Sequence, residues 1–249
     1  MGLVIANNLD LSGQAMGYIL PVSANAEYFN YFNNANALAR NLVSGKPAAV
    51  KNGSPVFNGQ SISVTGNANF INTLVTQTDE MTIITVGEPT AVSGNFVHWS
   101  TYGEAITNGG SGMTSQGYVR QSTATNNPTL SLSYSADAWA TRSQLAYGVA
   151  SGANTVKLRA IASVFSQSAL SSRLRDLTNA QAQPQPFPAG SIIGKSGPIF
   201  LGSHAVAGVE NSAGNLYAAA IYSRALTDTE INTVYASMKA YFASKGITV

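Results

Sequence analysis

Gly214-Asn215-Leu216-Tyr217-Ala218-Ala219-Ala220-Ile221-Tyr222-Ser223-Arg224-Ala225-Leu226-Thr227-Asp228-Thr229-Glu230-Ile231 decides how the rest of the chain is read. Leu216 to Tyr222 is apolar or small throughout and long enough for one strand. Ser223 to Leu226 interrupts it. Thr227 and Glu230 then stand at capping-box spacing, so each side chain can serve the other's backbone N–H. Asp228 and Glu230 put negative charge where a helix start favours it. Beyond the cap, Ile231, Val234, Tyr235, Met238, Tyr241 and Phe242 recur at helical spacing. Lys245 falls in the last turn and Gly246 is placed to terminate it. The spacing predicts a strand, a tight turn and an amphipathic helix over 228–245. A cap contributes roughly 1 kcal/mol. Each large apolar side chain contributes about 1.5–3 kcal/mol when buried. Docking therefore outweighs capping, and with a strand just ahead the partner expected is a sheet.

Working outward, short alternating runs recur along the chain. Ile62 and Val64 alternate with hydroxyl residues, as do Leu130, Leu132 and Tyr134. Leu145, Tyr147 and Val149 alternate likewise, and Val156, Leu158 and Ala160 follow after a turn at Ser151-Gly152-Ala153-Asn154. Met81–Val86, Phe96–Ser100, Ile192-Ile193 and Ile199–Leu201 read as further strands. Tyr18–Val22 is a short extended candidate. Asn52-Gly53 and Gly66-Asn67 are turn dipeptides. Tyr102 to Gly117 is glycine-rich and expected to be a long loop. Many short strands between Gly, Asn and Ser turns fit a two-sheet jelly roll.

Two stretches carry a resemblance to concanavalin A-like (laminin-G-like) jelly-roll domains. Ile221-Tyr222-Ser223-Arg224-Ala225-Leu226 and Thr227-Asp228-Thr229-Glu230-Ile231 are similar to that family's closing "VRIYNRAL" strand and "S/T-x-x-E-I" helix start. Asn41-Leu42-Val43-Ser44-Gly45, Asn52-Gly53-Ser54-Pro55-Val56-Phe57 and Gly66-Asn67-Ala68-Asn69-Phe70-Ile71-Asn72-Thr73 resemble its opening segment. The family's usual acidic residue in the closing strand is replaced here by Ala218 and Ala219. The match covers residues 39–76 and 196–232 well and the middle weakly. It implies an all-β fold: a two-sheet antiparallel jelly-roll sandwich with a C-terminal amphipathic helix.

On this reading residues 1–38 precede the jelly roll as an N-terminal extension and candidate assembly contact. Within it, the dense aromatics of 23–40 (Tyr28, Phe29, Tyr31, Phe32) are read either as packing or as a subunit contact. The jelly roll occupies 39–249. A polar insertion is expected at 166–188, with a helical piece around Leu170–Leu177 and a Pro/Gln tract from Gln181 to Pro188.

The 249 residues suffice for one large β domain, and 10% are charged, well under half the roughly 25% of an average soluble domain. Ser, Thr, Asn, Gln and Gly must then carry solubility. A formal charge of +2 gives no argument for nucleic acid. With no cysteine there is no disulfide framework or thiolate metal site. Nothing approaches a membrane-spanning run, and Met1–Asn7 lacks the basic region and apolar core of a signal peptide.

Catalytic chemistry finds little support. Gly190-Ser191-Ile192-Ile193-Gly194-Lys195-Ser196 has three residues between its glycines where a phosphate loop needs four. A sandwich glycanase needs carboxylates at alternate strand positions facing one sugar. Asp79 and Glu80 are adjacent and would point to opposite faces, and Asp228 and Glu230 are used by the helix start. His98 and His204 have no serine elbow to serve. No cofactor is expected. Related folds leave one metal open, a calcium ion held through carbonyls and a carboxylate.

What survives is a binding surface. Trp99, Tyr102, Tyr118 and Trp139 supply faces on which sugar rings stack, and His98, Glu104, Asn108 and Arg120 supply hydrogen bonds to hydroxyls. For Trp99 and Trp139 the competing reading is that they fill the sandwich core. The chain is therefore expected to be non-catalytic. In composition and fold it resembles a tailed-bacteriophage virion protein: a tail, baseplate or receptor-binding part contacting host glycans, with capsid decoration as the alternative. Expected partners are other virion proteins, further copies of this chain and a surface glycan, with no membrane insertion. A secreted carbohydrate-binding module and a glycan-cleaving enzyme are the competing classes.

Overall fold

The computed structural model describes residues 20–249 except 92, 110, 111, 151–156, 205, 207, 210 and 211. The expectations for Tyr18, Ile19, the turn at Ser151–Asn154 and Val156 fall outside the described residues. In chain order the first strands are β1 (Ala26–Tyr31), β2 (Val50–Asn52), β3 (Val56–Phe57), β4 (Ile62–Val64), β5 (Phe70–Asn72), β6 (Glu80–Pro89), β7 (Asn95–Ser100) and β8 (Tyr118–Ser122). There follow β9 (Pro128–Ser135), β10 (Ser143–Gly148), β11 (Arg159–Ser166), β12 (Ser171–Asp176), β13 (Gln181–Pro186), β14 (Ile192–Ile193), β15 (Phe200–Leu201) and β16 (Gly214–Tyr222). Helix α1 (Asp228–Ala243) closes the fold.

All pairings between these strands are antiparallel. One sheet runs β13-β12-β11-β6-β16-β4-β3, with β1 also on β16; the other runs β10-β9-β8-β7-β15-β5-β2, with β14 on β9. They face each other across Ile83, Phe96, Trp99, Val119, Leu132, Phe165, Leu201 and Ile221, all buried. The expected two-sheet sandwich with a C-terminal helix is what the chain forms.

The closing stretch holds the first sheet together. β16 pairs with β6 along its length, with β4 at its start and with β1 at its end. Alternation sends Ala219 and Ile221 between the sheets and Ala218, Ala220 and Tyr222 to the outer face. Small alanines there leave room for α1, whose Ile231, Val234, Met238 and Phe242 are buried on that face. At about 1.5–3 kcal/mol each, these four anchor the helix. The capping box is present: Glu230 N–H donates to Thr227 Oγ1 at 3.3 Å, and Thr227 N–H to Glu230 Oε2 at 2.9 Å. Arg224 adds a two-pronged pair with the same carboxylate, at 3.0 and 2.6 Å. That guanidinium, then the Thr227 N–H, pull the Glu230 carboxyl down to about 2. Gly246 takes a positive φ of 74° just past the helix, as the sequence predicts.

Two expectations are corrected. The boundary between residues 38 and 39 does not hold, because β1 is a full strand of the first sheet. Tyr28 and Phe32 enter the space between the sheets, while Phe29 and Tyr31 pack under α1. The 166–188 segment is not helical. It is a hairpin, β12–β13, that extends the first sheet beyond β11. Ser172, Leu174 and Asp176 are buried and alternate with Ser171, Arg173 and Arg175, a period of two that a helix cannot satisfy. Tight turns with positive φ at Leu170 and Ala180 join β11 to β12 and β12 to β13.

Asn52-Gly53 turns as expected: Gly53 has φ of 67°, and a Cβ there would lie 1.9 Å from the Ala68 carbonyl oxygen. Only glycine fits both demands.

Candidate functional site

A bulge in β7 sorts the predicted site residues. Phe96 lies opposite Gln121 and Val97 opposite Arg120, but Trp99 then lies opposite Val119, leaving His98 as the extra residue. Strict alternation from Phe96 would send Trp99 outward. The bulge shifts the phase and turns both His98 and Trp99 into the sandwich. Trp99 is 1% exposed, and its indole N–H donates to Ser163 Oγ at 2.9 Å on the opposite sheet. His98 is fully buried, its ring nitrogens 3.1 Å from Thr85 Oγ1 and 3.0 Å from Gln121 Oε1. Burial pushes its pKa down to about 4, against the opposing hydrogen bond to Gln121 Oε1. Neither can touch a ligand at the surface.

Trp139 and Asn108 also serve the scaffold. Trp139 is 6% exposed and packs beneath Gly109 and Gly194, where an added Cβ would come within 3.1 Å of its ring. Asn108 donates to the Ile193 carbonyl at 2.7 Å and accepts the Lys195 N–H at 2.9 Å, tying the 101–117 loop to the 193–195 segment. Glu104 sits half-buried where that loop folds back, accepting the Ser115 N–H on its carbonyl. Desolvation raises its carboxyl pKa.

Three predicted residues do come together. Tyr118 and Arg120 are two apart on β8 and share the outer face of the second sheet. The Arg120 guanidinium lies over the Tyr118 ring, 5.5 Å from its centroid, a cation–π contact. Tyr102 joins them through His204: the imidazole is 4.9 Å from the Tyr102 ring and 5.2 Å from the Tyr118 ring. His204 is fully buried, its Nδ1 2.7 Å from Ser100 Oγ. Burial, then the charge of Arg120, hold its pKa at about 4. Ser100 Oγ also accepts the Tyr102 N–H at 2.8 Å. With serine and histidine both buried, this contact braces the loop and exposes no nucleophile.

Beside this aromatic cluster lies a depression of about 390 Å³ lined by Asn95, Arg120, Ser122, Thr125, Asn127 and Thr129, with 148–150 as its far wall. Its walls are amide, hydroxyl and guanidinium, the groups that meet sugar hydroxyls. Sequence reasoning found its edge in Tyr118 and Arg120 but missed the polar lining. The signal was available: Ser122 is the next same-face residue on β8, and Thr129 pairs with Arg120 across the ladder.

Among the described residues no group of three or more His, Asp or Glu side chains gathers to hold a metal ion. No helix among them is long and apolar enough to cross a membrane.

No family model matches the chain, and no curated protein matches it in sequence. Solved structures do share its fold. The binding domain of botulinum neurotoxin serotype D matches with a TM-score of 0.59 at 12% identity, over 86% of this chain and 52% of that one. The serotype D ligand binding domain in complex with N-acetylneuraminic acid gives 0.59 at 10% identity, over 86% and 51%. The binding domain of neurotoxin DC in complex with SialylT gives 0.56 at 12%, again over 86% and 51%. The chain spans about half the length of these neighbours. At such identities the likeness is one of fold: an antiparallel β sandwich found in binding domains.

Proposed function

We propose that this chain is a non-catalytic binding domain that holds a surface glycan on the outer face of its second sheet. The observation that carries this reading is the groove along Arg120, Ser122, Asn127 and Thr129, whose Arg120 also lies over the Tyr118 ring, with Tyr102 next to Tyr118. A sugar ring has an apolar face for an aromatic platform and a rim of hydroxyls for amides and hydroxyls. Two of the structural neighbours are in complex with N-acetylneuraminic acid and with SialylT, which supports the class of ligand and not the position of the site. The two indoles singled out from the sequence are replaced here by tyrosines, because the indoles are committed to packing.

The setting we propose is a virion surface, as a receptor-contacting tail or baseplate part. The supporting observation is a composition with 10% charged residues, since few charges must be desolvated when such a chain is packed into an assembly.

Glycan-array binding tests the site. Wild type should bind a defined set of oligosaccharides, and Tyr118→Ala should weaken that binding about fivefold or more, as expected for losing about 1 kcal/mol of ring contact. Trp99→Phe should leave it intact. Unchanged binding in Tyr118→Ala, or release of reducing ends from the bound glycan, contradicts the reading.

A further inference from the structure

Counting β1 and β14, six strands among the described residues lie at sheet edges, and five are blunted. β14 is two residues long, and on the free side of β1 the Phe29 N–H donates to Asn41 Oδ1 while its carbonyl accepts the Leu42 N–H. β2 and β3 are three and two residues long. β13 is longer, but Pro184 and Pro186 remove backbone donors from it. The remaining edge, β10, reads Ser143-Gln144-Leu145-Ala146-Tyr147-Gly148. It has six residues, no proline and no charge, so it lacks the devices that keep an edge from pairing. Among the described residues no strand lies on its far side.

The direction of its free hydrogen-bonding groups follows from its ladder. The Val149 N–H donates to the Pro128 carbonyl on β9. Antiparallel bonding alternates residue by residue, so Tyr147, Leu145 and Ser143 also point their N–H and C=O groups at β9. Gln144, Ala146 and Gly148 point theirs away. Tyr147 donates its hydroxyl to Ser172 Oγ on the first sheet at 2.9 Å, which fixes the face and register of the strand. Its outward groups are therefore those of Gln144, Ala146 and Gly148, in order along the edge.

We infer that β10 is a self-association edge, at which a second copy of this chain adds its own β10 antiparallel to the first and makes the two second sheets one. The sequence of the strand supports a second copy as the occupant. Registered on Ala146, Gln144 faces Gly148 of the second copy and Ala146 faces its own counterpart. Each facing pair exchanges both backbone bonds, and no like charges meet. The two-fold axis then stands perpendicular to the sheet. Both outer faces, and with them both Arg120 grooves, lie on the same side.

Sedimentation velocity and amide hydrogen exchange test this on the whole chain. Wild type should sediment as a dimer. Ala146→Pro removes an outward donor without touching the β9 ladder, and Ala146→Lys sets two like charges opposite each other. Both should sediment as monomers with unchanged circular dichroism. In the wild-type dimer the amides of Gln144, Ala146 and Gly148 should be protected from exchange. A monomeric wild type, a dimer surviving both substitutions, or rapid exchange at those three amides overturns the proposal. Should either variant fail to fold, the wild-type exchange measurement decides alone.

Discussion

The two sheets of this sandwich have opposite outer faces. The first is sealed at its centre: α1 lays Ile231, Val234, Met238 and Phe242 onto Ala218, Ala220 and Tyr222, and all seven are fully buried. The second keeps Tyr118, Arg120, Ser122 and Thr129 partly exposed along its strands. The contrast teaches where each face's residues act. On the sealed face they hold the fold. On the open face they are available to something else, and their loss costs the fold little.

The largest effect of a single residue should come from breaking the sealed face. Phe242→Ala removes a fully buried ring that also meets Tyr31 edge-on at 5.7 Å. It should lower unfolding free energy by about 3–5 kcal/mol in urea titration, while Tyr118→Ala on the open face should cost no more than about 1 kcal/mol. Equal losses would erase the distinction.

Acid should act next, from inside. His98 and His204 are buried neutral, with pKa values near 4 against about 6.5 in an unfolded chain. The unfolded chain therefore takes up protons that the fold refuses. Stability from these residues is complete above about pH 6.5 and is lost as pH falls toward 4, by up to about 3 kcal/mol each. Glu230 adds a later loss, between about pH 4.3 and 2, because its carboxylate is stabilised only when folded. Urea midpoints across pH should fall first in the histidine range, and His98→Gln should flatten that slope. A level profile from pH 7 to 4.5 would contradict the assignment.

The smallest effect belongs to the helix start. Thr227→Ala removes one half of the capping box and should cost about 1 kcal/mol, a fraction of the Phe242 loss. A comparable cost would mean that docking does not dominate.

The same contrast explains what the sequence could say. The strand–turn–helix ending was legible because its code is local: Thr227 and Glu230 are three residues apart, and the helix stripe repeats within one segment. The candidate outer-face site was legible only in part. Tyr118 and Arg120 advertise themselves by type, whereas Asn127 and Thr129 are ordinary polar residues until β8 and β9 pair. Trp99 was equivocal because its facing depends on one extra residue in β7, and its partner Ser163 is 64 positions away. The β12–β13 hairpin was hidden by its composition, since glutamines, arginines and prolines do not announce a strand. β1 was hidden because the strand it needs, β16, comes almost 190 residues later.

That separation also governs how the protein is made. β16 is the central rib to which β1, β4 and β6 all attach, and it follows all three in the sequence. During synthesis the ribosome releases β1, β4 and β6 well before the strand that joins them. Until Gly214–Tyr222 emerges, the nascent chain carries three apolar strands with vacant edges, the condition under which chaperones are recruited. A transcript cut short before residue 214 yields a polypeptide with no strand to join β1, β4 and β6 into the first sheet.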